Sequence, residues 1–230
     1  MKKQEKVIIL TTLVVIFVMG VVALNLWDKQ KEQNPVENDG IDYLKYESYG
    51  YTREKIDQIF GRIELLEEAI KSEPDAFDYY LQIGSLYKMI REYELAEQAY
   101  LKSIEINPDF AAGYAELANI YIYPMGRLEE AEENYLIAIE KTPFRSDYYR
   151  WLADLWVSKF PEKKPEIEGL MLKGVAEGPA NSTAFYGYLV NYFEREGNYN
   201  KAIYYAQKAI ANDPENEILK QDLERIKTLQ

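Results

Sequence analysis

The sequence of 230 residues contains no cysteine and no histidine. Without cysteine the chain has no disulfide bond, no thiolate metal ligand and no cysteine nucleophile. Without histidine it has no Ser-His-Asp triad, no imidazole metal site and no side chain whose usual pKa lies near neutral pH. The two absences exclude the commonest hydrolase chemistries and leave carboxylate pairs as the main catalytic option.

The sequence also lacks a glycine-rich phosphate loop, because its 12 glycines are scattered and none follows a strand pattern. Carboxylates are plentiful, as in Glu129-Glu130 and Glu132-Glu133, and two of them could form a glycosidase pair. Such runs on a helix are typical of a solvated face, and no metal-ligand spacing stands out. We therefore predict no enzyme, no catalytic residue, no metal and no cofactor, with a carboxylate-dependent glycoside hydrolase as the unfavoured alternative.

The charge balance is acidic, with a formal net charge of −12. Residues 1–27 carry three lysines and one glutamate, or +2, so the rest of the chain carries −14. A surface this acidic repels phosphate backbones, and we predict no nucleic-acid partner. Hydrophobic residues make up 47% of the chain and tyrosine occurs 21 times, which favours a packed protein over a disordered one.

One long uncharged run, residues 7–27, follows a short basic tail at residues 1–6. Its 21 residues are long enough to cross a bilayer as a helix, with Trp27 at the far interface. A cleaved signal peptide after Val21-Val22-Ala23 is the competing interpretation, although the apolar run continues past that point. We favour an uncleaved signal-anchor that gives a single-pass membrane protein.

Flanking charges predict the orientation of this span. Lys2, Lys3, Lys6 and the α-amine lie on its N-terminal side, and fewer cations follow it closely. The positive-inside rule therefore predicts a cytoplasmic N-terminus and an extracytoplasmic remainder, either periplasmic or at the cell surface. Residues 28–51 are predicted to form a polar stem and a Tyr-rich linker.

A six-residue pattern recurs along the rest of the chain: a small residue, a β-branched apolar residue, three variable residues and proline. Five of the nine prolines end this pattern, at spacings of 34, 35, 36 and 35 residues. The pattern occurs at Ala69–Pro74, Ser103–Pro108, Ala138–Pro143, Gly174–Pro179 and Ala209–Pro214. A period of this length predicts an array of repeats.

Other positions recur in register with the prolines. In the first unit they are Tyr80, Ile83, Gly84, Tyr87, Ala96, Tyr100, Ser103 and Pro108. In the second they are Tyr114, Leu117, Ala118, Tyr121, Ala131, Tyr135, Ala138 and Pro143, and in the fourth Tyr186, Leu189, Val190, Phe193, Ala202, Ala206, Ala209 and Pro214. The third unit fits at Tyr149, Leu152, Ala153 and Trp156 but has Ile167 where alanine is expected.

This pattern resembles the tetratricopeptide repeat (TPR), a helix–turn–helix of 34 residues. The resemblance implies an all-α fold, a TPR α-solenoid, and the uncharged run at residues 7–27 predicts one N-terminal transmembrane helix before it. We predict a degenerate repeat helix at 52–74, four TPR units at 77–110, 111–145, 146–181 and 183–214, together covering 77–214, and a capping helix at 215–230. Small residues such as Gly84 and Ala96 would allow the two helices of a unit to approach closely.

The paired helices are predicted at 76–90 and 93–106, 110–123 and 127–141, 145–159 and 165–177, and 182–196 and 199–212. Thr52, Asp75, Asp109 and Ser182 are candidate helix N-caps. Pro165 is predicted in the first turn of its helix.

In the family that this sequence resembles, the first helices of successive pairs line a groove. The resemblance implies a groove that binds a protein or peptide segment, with candidate residues Lys88, Asn119, Tyr123, Arg150, Asp154, Asn191 and Arg195. Asparagine can pair with both groups of a bound backbone, and cations can hold carboxylates. The predicted function is a membrane-anchored scaffold or adaptor for protein–protein interaction. A structural subunit that forms homo-oligomers through Tyr-rich faces is the alternative.

Overall fold

The computed structural model describes residues 40–229. The predicted tail at 1–6, the predicted span at 7–27 and stem residues 28–39 lie outside the described residues. Across the described range all regular secondary structure is helical, and the all-α prediction is confirmed. A search of the same range finds no helix with the length and apolar character needed to cross a membrane.

The chain divides into two compact bodies at Gln58 and Ile59. The described part of the first body contains helix α1 (Tyr43–Ser48), which begins after Asp42, whose carboxylate accepts a hydrogen bond from the Lys45 amide at 3.1 Å. The buried Tyr43 donates its hydroxyl to Asp57 at 2.6 Å. The predicted Tyr-rich linker thus contains a short helix at 43–48, which an Asp cap and a buried aromatic stabilise.

Helix α2 (Arg53–Ser72) begins directly after Thr52, whose hydroxyl oxygen accepts from the Lys55 amide at 3.3 Å as expected. The second body then holds four helical hairpins, whose eight helices start and end within two residues of the predicted bounds. They are α3 (Phe77–Met89) with α4 (Tyr93–Ile106), α5 (Ala111–Ile122) with α6 (Leu128–Lys141), α7 (Ser146–Lys159) with α8 (Ile167–Glu177), and α9 (Ser182–Arg195) with α10 (Tyr199–Asn212). Helix α11 (Glu217–Lys227) follows the last hairpin.

The third hairpin differs from the expectation at its turn. A 3₁₀ helix occupies Pro161–Glu166 and contains Pro165, so α8 begins only at Ile167. Pro165 therefore lies before the α-helix rather than in its first turn. Two prolines in six residues explain the tighter helix, since each removes a backbone donor that an α-helix would use.

Three predicted caps are wrong. The residues preceding α3 and α5 are Ala76 and Phe110, and neither helix has a side-chain cap. Asp109 instead pairs with Lys141 at 2.6 Å, and like Asp75 it lies one residue too early to cap. Ser182 is the first residue of α9, and its hydroxyl donates to the carbonyl of Pro179 at 2.6 Å.

The two helices of a unit pack by matching a small residue to a large one. A Cβ added to Gly84 would lie 2.5 Å from the ring of Tyr100, which is fully buried. At the same two repeat positions the second unit has Ala118 and Tyr135. The fourth unit reverses the sizes, with Val190 on the first helix and small Ala206 on the second. The summed volume is thus maintained while its source changes, as close packing requires.

A recurring glutamate on the second helices links successive units. It lies one residue after the buried position held by Ala96, Ala131 and Ile167, and it takes two donors, one aromatic and one cationic. Glu97 accepts from the Tyr121 hydroxyl at 2.6 Å and from Arg127 at 2.5 Å. Glu132 accepts from the Trp156 indole at 2.6 Å and from Lys163. Glu168 accepts from Lys201 at 2.5 Å and from the Tyr205 hydroxyl at 2.6 Å.

Helix α11 occupies the place of a further first helix. The positions that carry the core residues of the repeat in earlier units are here Lys220, Leu223, Glu224 and Lys227. Glu224 and Lys227 are exposed, and only Leu223 of the four is apolar. The face that would contact another second helix is therefore largely polar, which suits a helix that separates the array core from solvent.

Candidate protein-binding groove

The groove face is the surface formed by α3, α5, α7 and α9, the first helices of the four units. Its N-terminal half, on α3 and α5, is occupied by contacts within the protein. Lys88 of α3 forms an ion pair with Glu116 of α5, the first helix of the following unit. The side-chain oxygen of Asn119 accepts a hydrogen bond from the Tyr135 hydroxyl at 2.7 Å. Two of the predicted groove residues are therefore committed to neighbours in the fold.

Tyr123 lies at the end of α5 and is 79% exposed. The ammonium of Lys159 lies 5.7 Å from the centre of its ring, within the range of a cation–π contact. This exposed ring offers an apolar and polarisable surface beside the groove face. Tyr123 does not line the open cavity between α7 and α9.

The C-terminal half of the groove face contains an open cavity of about 660 Å³. Its lining residues are Arg150, Asp154, Tyr188, Asn191, Glu194, Arg195, Tyr199 and Leu229. The cavity thus brings together four of the seven predicted residues, two from α7 and two from α9. Its volume is within the usual range of ligand-binding clefts. We call it the C-terminal cavity.

Both carboxylates of the C-terminal cavity have partners. The Tyr188 hydroxyl donates to Asp154 at 2.8 Å. Burial, followed by the adjacent Asp154 carboxylate, raises the pKa of Tyr188, which keeps its hydroxyl protonated as a donor. Glu194 accepts two hydrogen bonds from Arg225 of α11, at 2.5 and 2.9 Å. These bonds lower the pKa of Glu194 and keep it ionised.

The two arginines of the cavity are less constrained. Arg150 makes one bond, to Asp147 in the preceding turn at 3.2 Å, and its side chain is 52% exposed. Arg195 donates its Nε to the carbonyl of Asn191 at 3.3 Å, and within residues 40–229 it takes part in no ion pair. Both guanidinium groups retain donors directed to solvent or to a ligand.

The second helices explain why the two halves differ. In the first two units a tyrosine at the large position donates to the groove residue of its own unit: Tyr100 to Ser85 at 3.4 Å and Tyr135 to Asn119 at 2.7 Å. Met171 and Ala206 occupy this position in the last two units and carry no hydroxyl. Asp154 is held instead by Tyr188 of the next helix. The Asn191 amide makes no side-chain hydrogen bond in the described part of the chain.

Sequence reasoning did not place Tyr199 and Leu229 in the groove. The loss of tyrosine at Met171 and Ala206 was a readable signal for the location of the cavity. No local signal places Arg225 against Glu194 or Leu229 in the lining, because α11 is distant in sequence from α7. Among the described residues no group of three or more acidic side chains could hold a metal ion.

The comparisons with known proteins bear on the repeat architecture. Two family models, each described as tetratricopeptide repeat, match residues 77–110 and 99–133. The first of these ranges coincides with the predicted first unit. None of the curated protein sequences compared with the chain matches it.

Several solved structures share the fold. BtubC (BKLC) from P. vanneervenii has a TM-score of 0.58 at 16% identity, over 78% of this chain and 85% of that chain. MamA has a TM-score of 0.53 at 17% identity, over 72% and 96%. YrrB, described as a TPR protein with an unusual peptide-binding site, has a TM-score of 0.50 at 18% identity, over 71% and 82%.

At these identities the solved structures show the fold alone. The family models identify tetratricopeptide repeats within residues 77–133, and the structural likeness supports an α-solenoid fold. Tetratricopeptide-repeat proteins mediate protein–protein interaction, and repeat solenoids use their extended concave surfaces for binding.

Proposed function

We propose that this protein is a membrane-anchored adaptor that binds a segment of a partner protein on its groove face, outside the cytoplasm. The observation that carries the binding role is the C-terminal cavity, where exposed Arg150, Asn191 and Arg195 converge from two successive first helices. Rigid helices position these side chains, and their donors are directed away from the core. The peptide-binding site named for YrrB gives the same role a precedent within the fold.

The membrane part of the proposal depends on sequence. Residues 7–27 are uncharged over 21 residues and follow three lysines, a pattern typical of a signal-anchor with its N-terminus in the cytoplasm. The adaptor function is assigned to the repeats, which carry the C-terminal cavity.

Crosslinking in native membranes tests the binding role. A photo-reactive residue at Asn191 should crosslink a partner protein, whereas one at Leu136, an exposed residue of α6, should not. Replacing Arg150 and Arg195 with glutamate should reduce the Asn191 crosslink while the circular dichroism spectrum is unchanged. Crosslinks from Leu136 alone would assign binding to the second helices and refute a groove adaptor.

Protease accessibility tests the topology. Protease added to intact cells or spheroplasts should digest the repeats and spare a cytoplasmic control protein. Protection of the repeats until the membrane is broken would reverse the proposed orientation.

A further inference from the structure

We propose that the C-terminal cavity recognises an acidic partner segment by binding two of its side-chain carboxylates, one at Arg150 and one at Arg195. This inference rests on the proposed adaptor function and specifies the chemistry of its partner. It also limits recognition to the third and fourth units, since the groove residues of the first two units are held by Tyr100, Tyr135 and Glu116.

The unsatisfied hydrogen-bond donors of the cavity favour an anionic occupant. Glu194 is neutralised by a two-point contact with Arg225, and the Tyr188 hydroxyl satisfies one oxygen of Asp154. Arg150 has one exposed contact and Arg195 has a single backbone contact. The donors left for a ligand are therefore two guanidinium groups and the amide of Asn191, and guanidinium binds carboxylate through two parallel hydrogen bonds.

The offset between the two arginines matches two carboxylates of an extended segment. Arg150 aligns with Gly187 in the repeat register, and Arg195 lies eight residues further along the parallel helix α9. At a rise of about 1.5 Å per residue the two Cα atoms are about 12 Å apart along the helix direction. Side chains four residues apart on an extended segment lie on one face and are about 13 Å apart.

The remaining wall of the cavity is apolar. Leu229 is 44% exposed and lies in the lining with the ring of Tyr199. A leucine of the partner could bury surface there between the two carboxylate contacts. The segment that fits is therefore one in which acidic and apolar residues alternate at short intervals.

Net charge makes the test stringent. The described protein is strongly acidic and repels an acidic peptide at long range, so any affinity for one must come from a local cationic site. The probes are two fluorescent peptides, three repeats of Glu-Ser-Leu-Ser and three of Gln-Ser-Leu-Ser, in which the leucine shares a face with the glutamate or glutamine of an extended segment. Both have blocked ends, which removes terminal charges and leaves side-chain carboxylates as the variable. Binding to the full chain in detergent is measured by fluorescence anisotropy.

The variants separate local recognition from net charge. Arg150→Gln with Arg195→Gln changes two exposed side chains of the cavity. Lys102→Gln with Lys141→Gln removes the same charge from second helices, where the lysines pair with Glu105 and Asp109. Circular dichroism and thermal melting verify that both double variants fold.

The glutamate peptide should bind the wild type with a Kd at least about ten-fold lower than the glutamine peptide. The arginine variant should lose this preference, and the lysine variant should keep it. Equal binding of the two peptides, or a preference that survives in the arginine variant, overturns the inference. If it is overturned while Asn191 still crosslinks a partner, the adaptor function stands and only the acidic segment is wrong.

Discussion

The first two units and the last two units use the same repeat frame to different ends. In the first two, a second-helix tyrosine fills the space beside a small residue and its hydroxyl reaches the groove face, as Tyr135 does to Asn119 at 2.7 Å. In the last two, Met171 and Ala206 fill that space without a hydroxyl. The Asn191 amide therefore stays available to a ligand. The Asp154 carboxylate accepts a hydrogen bond from the Tyr188 hydroxyl of the following unit.

The difference teaches that one position serves both the core and the surface. Packing determines the size of the side chain at this position, because it is buried in every unit, as Tyr100, Tyr135, Met171 and Ala206. Where this side chain is tyrosine, its hydroxyl donates a hydrogen bond to the polar residue of the groove. That residue is then not available to a ligand. A change in the core therefore determines which part of the groove face is available.

The largest expected effect concerns the unit that departs most from the repeat. Ile167 is fully buried at the repeat position where the other units have alanine. Its replacement by alanine would leave a cavity. Replacing it with alanine should lower the free energy of unfolding by about 2–5 kcal/mol, measured by urea denaturation. Ile218→Ala, at a site that is 71% exposed, is the control and should change little. A small loss at Ile167 would mean that the third unit packs like the others after all.

Overpacking the fourth unit should have the next largest effect. Ala202 is fully buried at the position where α9 and α10 approach. Ala202→Trp should cost about 1–3 kcal/mol or more, since the surrounding helices must move apart. Ala211→Trp, exposed on the same helix, is the matched control in thermal melting. If the Ala202 variant melts like the wild type, the repeat register is incorrect.

A third change makes the first half of the groove resemble the second. Tyr135→Phe removes the hydrogen bond to Asn119 and should cost about 1 kcal/mol in urea denaturation. Tyr148→Phe is the control, because the Tyr148 hydroxyl has no hydrogen-bond partner among residues 40–229. The variant also leaves the Asn119 amide free, as at Asn191. Equal stability of the two variants would show that Tyr135 serves packing alone.

The smallest effect concerns the glutamate between the third and fourth units. Burial alone raises the pKa of Glu168, but hydrogen bonds from Lys201 and Tyr205 outweigh it and leave that pKa below its usual value. A lowered folded-state pKa contributes stability above the unfolded pKa, near 4.5, and this stability is lost as the pH falls through the folded pKa.

Glu168→Gln should therefore lower the free energy of unfolding at neutral pH by about 0.5–1 kcal/mol. The difference from the wild type, followed by thermal melting, should shrink as the pH is lowered below about 4.5. Glu133→Gln, exposed and without an ion pair in the described range, should match the wild type at neutral pH. A pH-independent difference at Glu168 would remove the ionic contribution.

Much of the fold follows from spacing that can be read directly. Proline at intervals of 34–36 residues and small residues such as Gly84 and Ala202 predict the hairpins and their helices closely. Caps were less predictable, because a shift of one residue moved Asp75 and Asp109 out of the capping position. The candidate groove residues could be named from register, and four of them line one cavity.

The sequence by itself determined the repeat, the helices and the positions that face the core, because these depend on periodicity and on residue size. Only the tertiary structure decided which groove residues are free. That depends on contacts between residues far apart in the chain, such as Tyr188 with Asp154 and Arg225 with Glu194. A polar side chain has several possible partners within reach, and its choice is set by the packing of neighbouring helices rather than by local pattern.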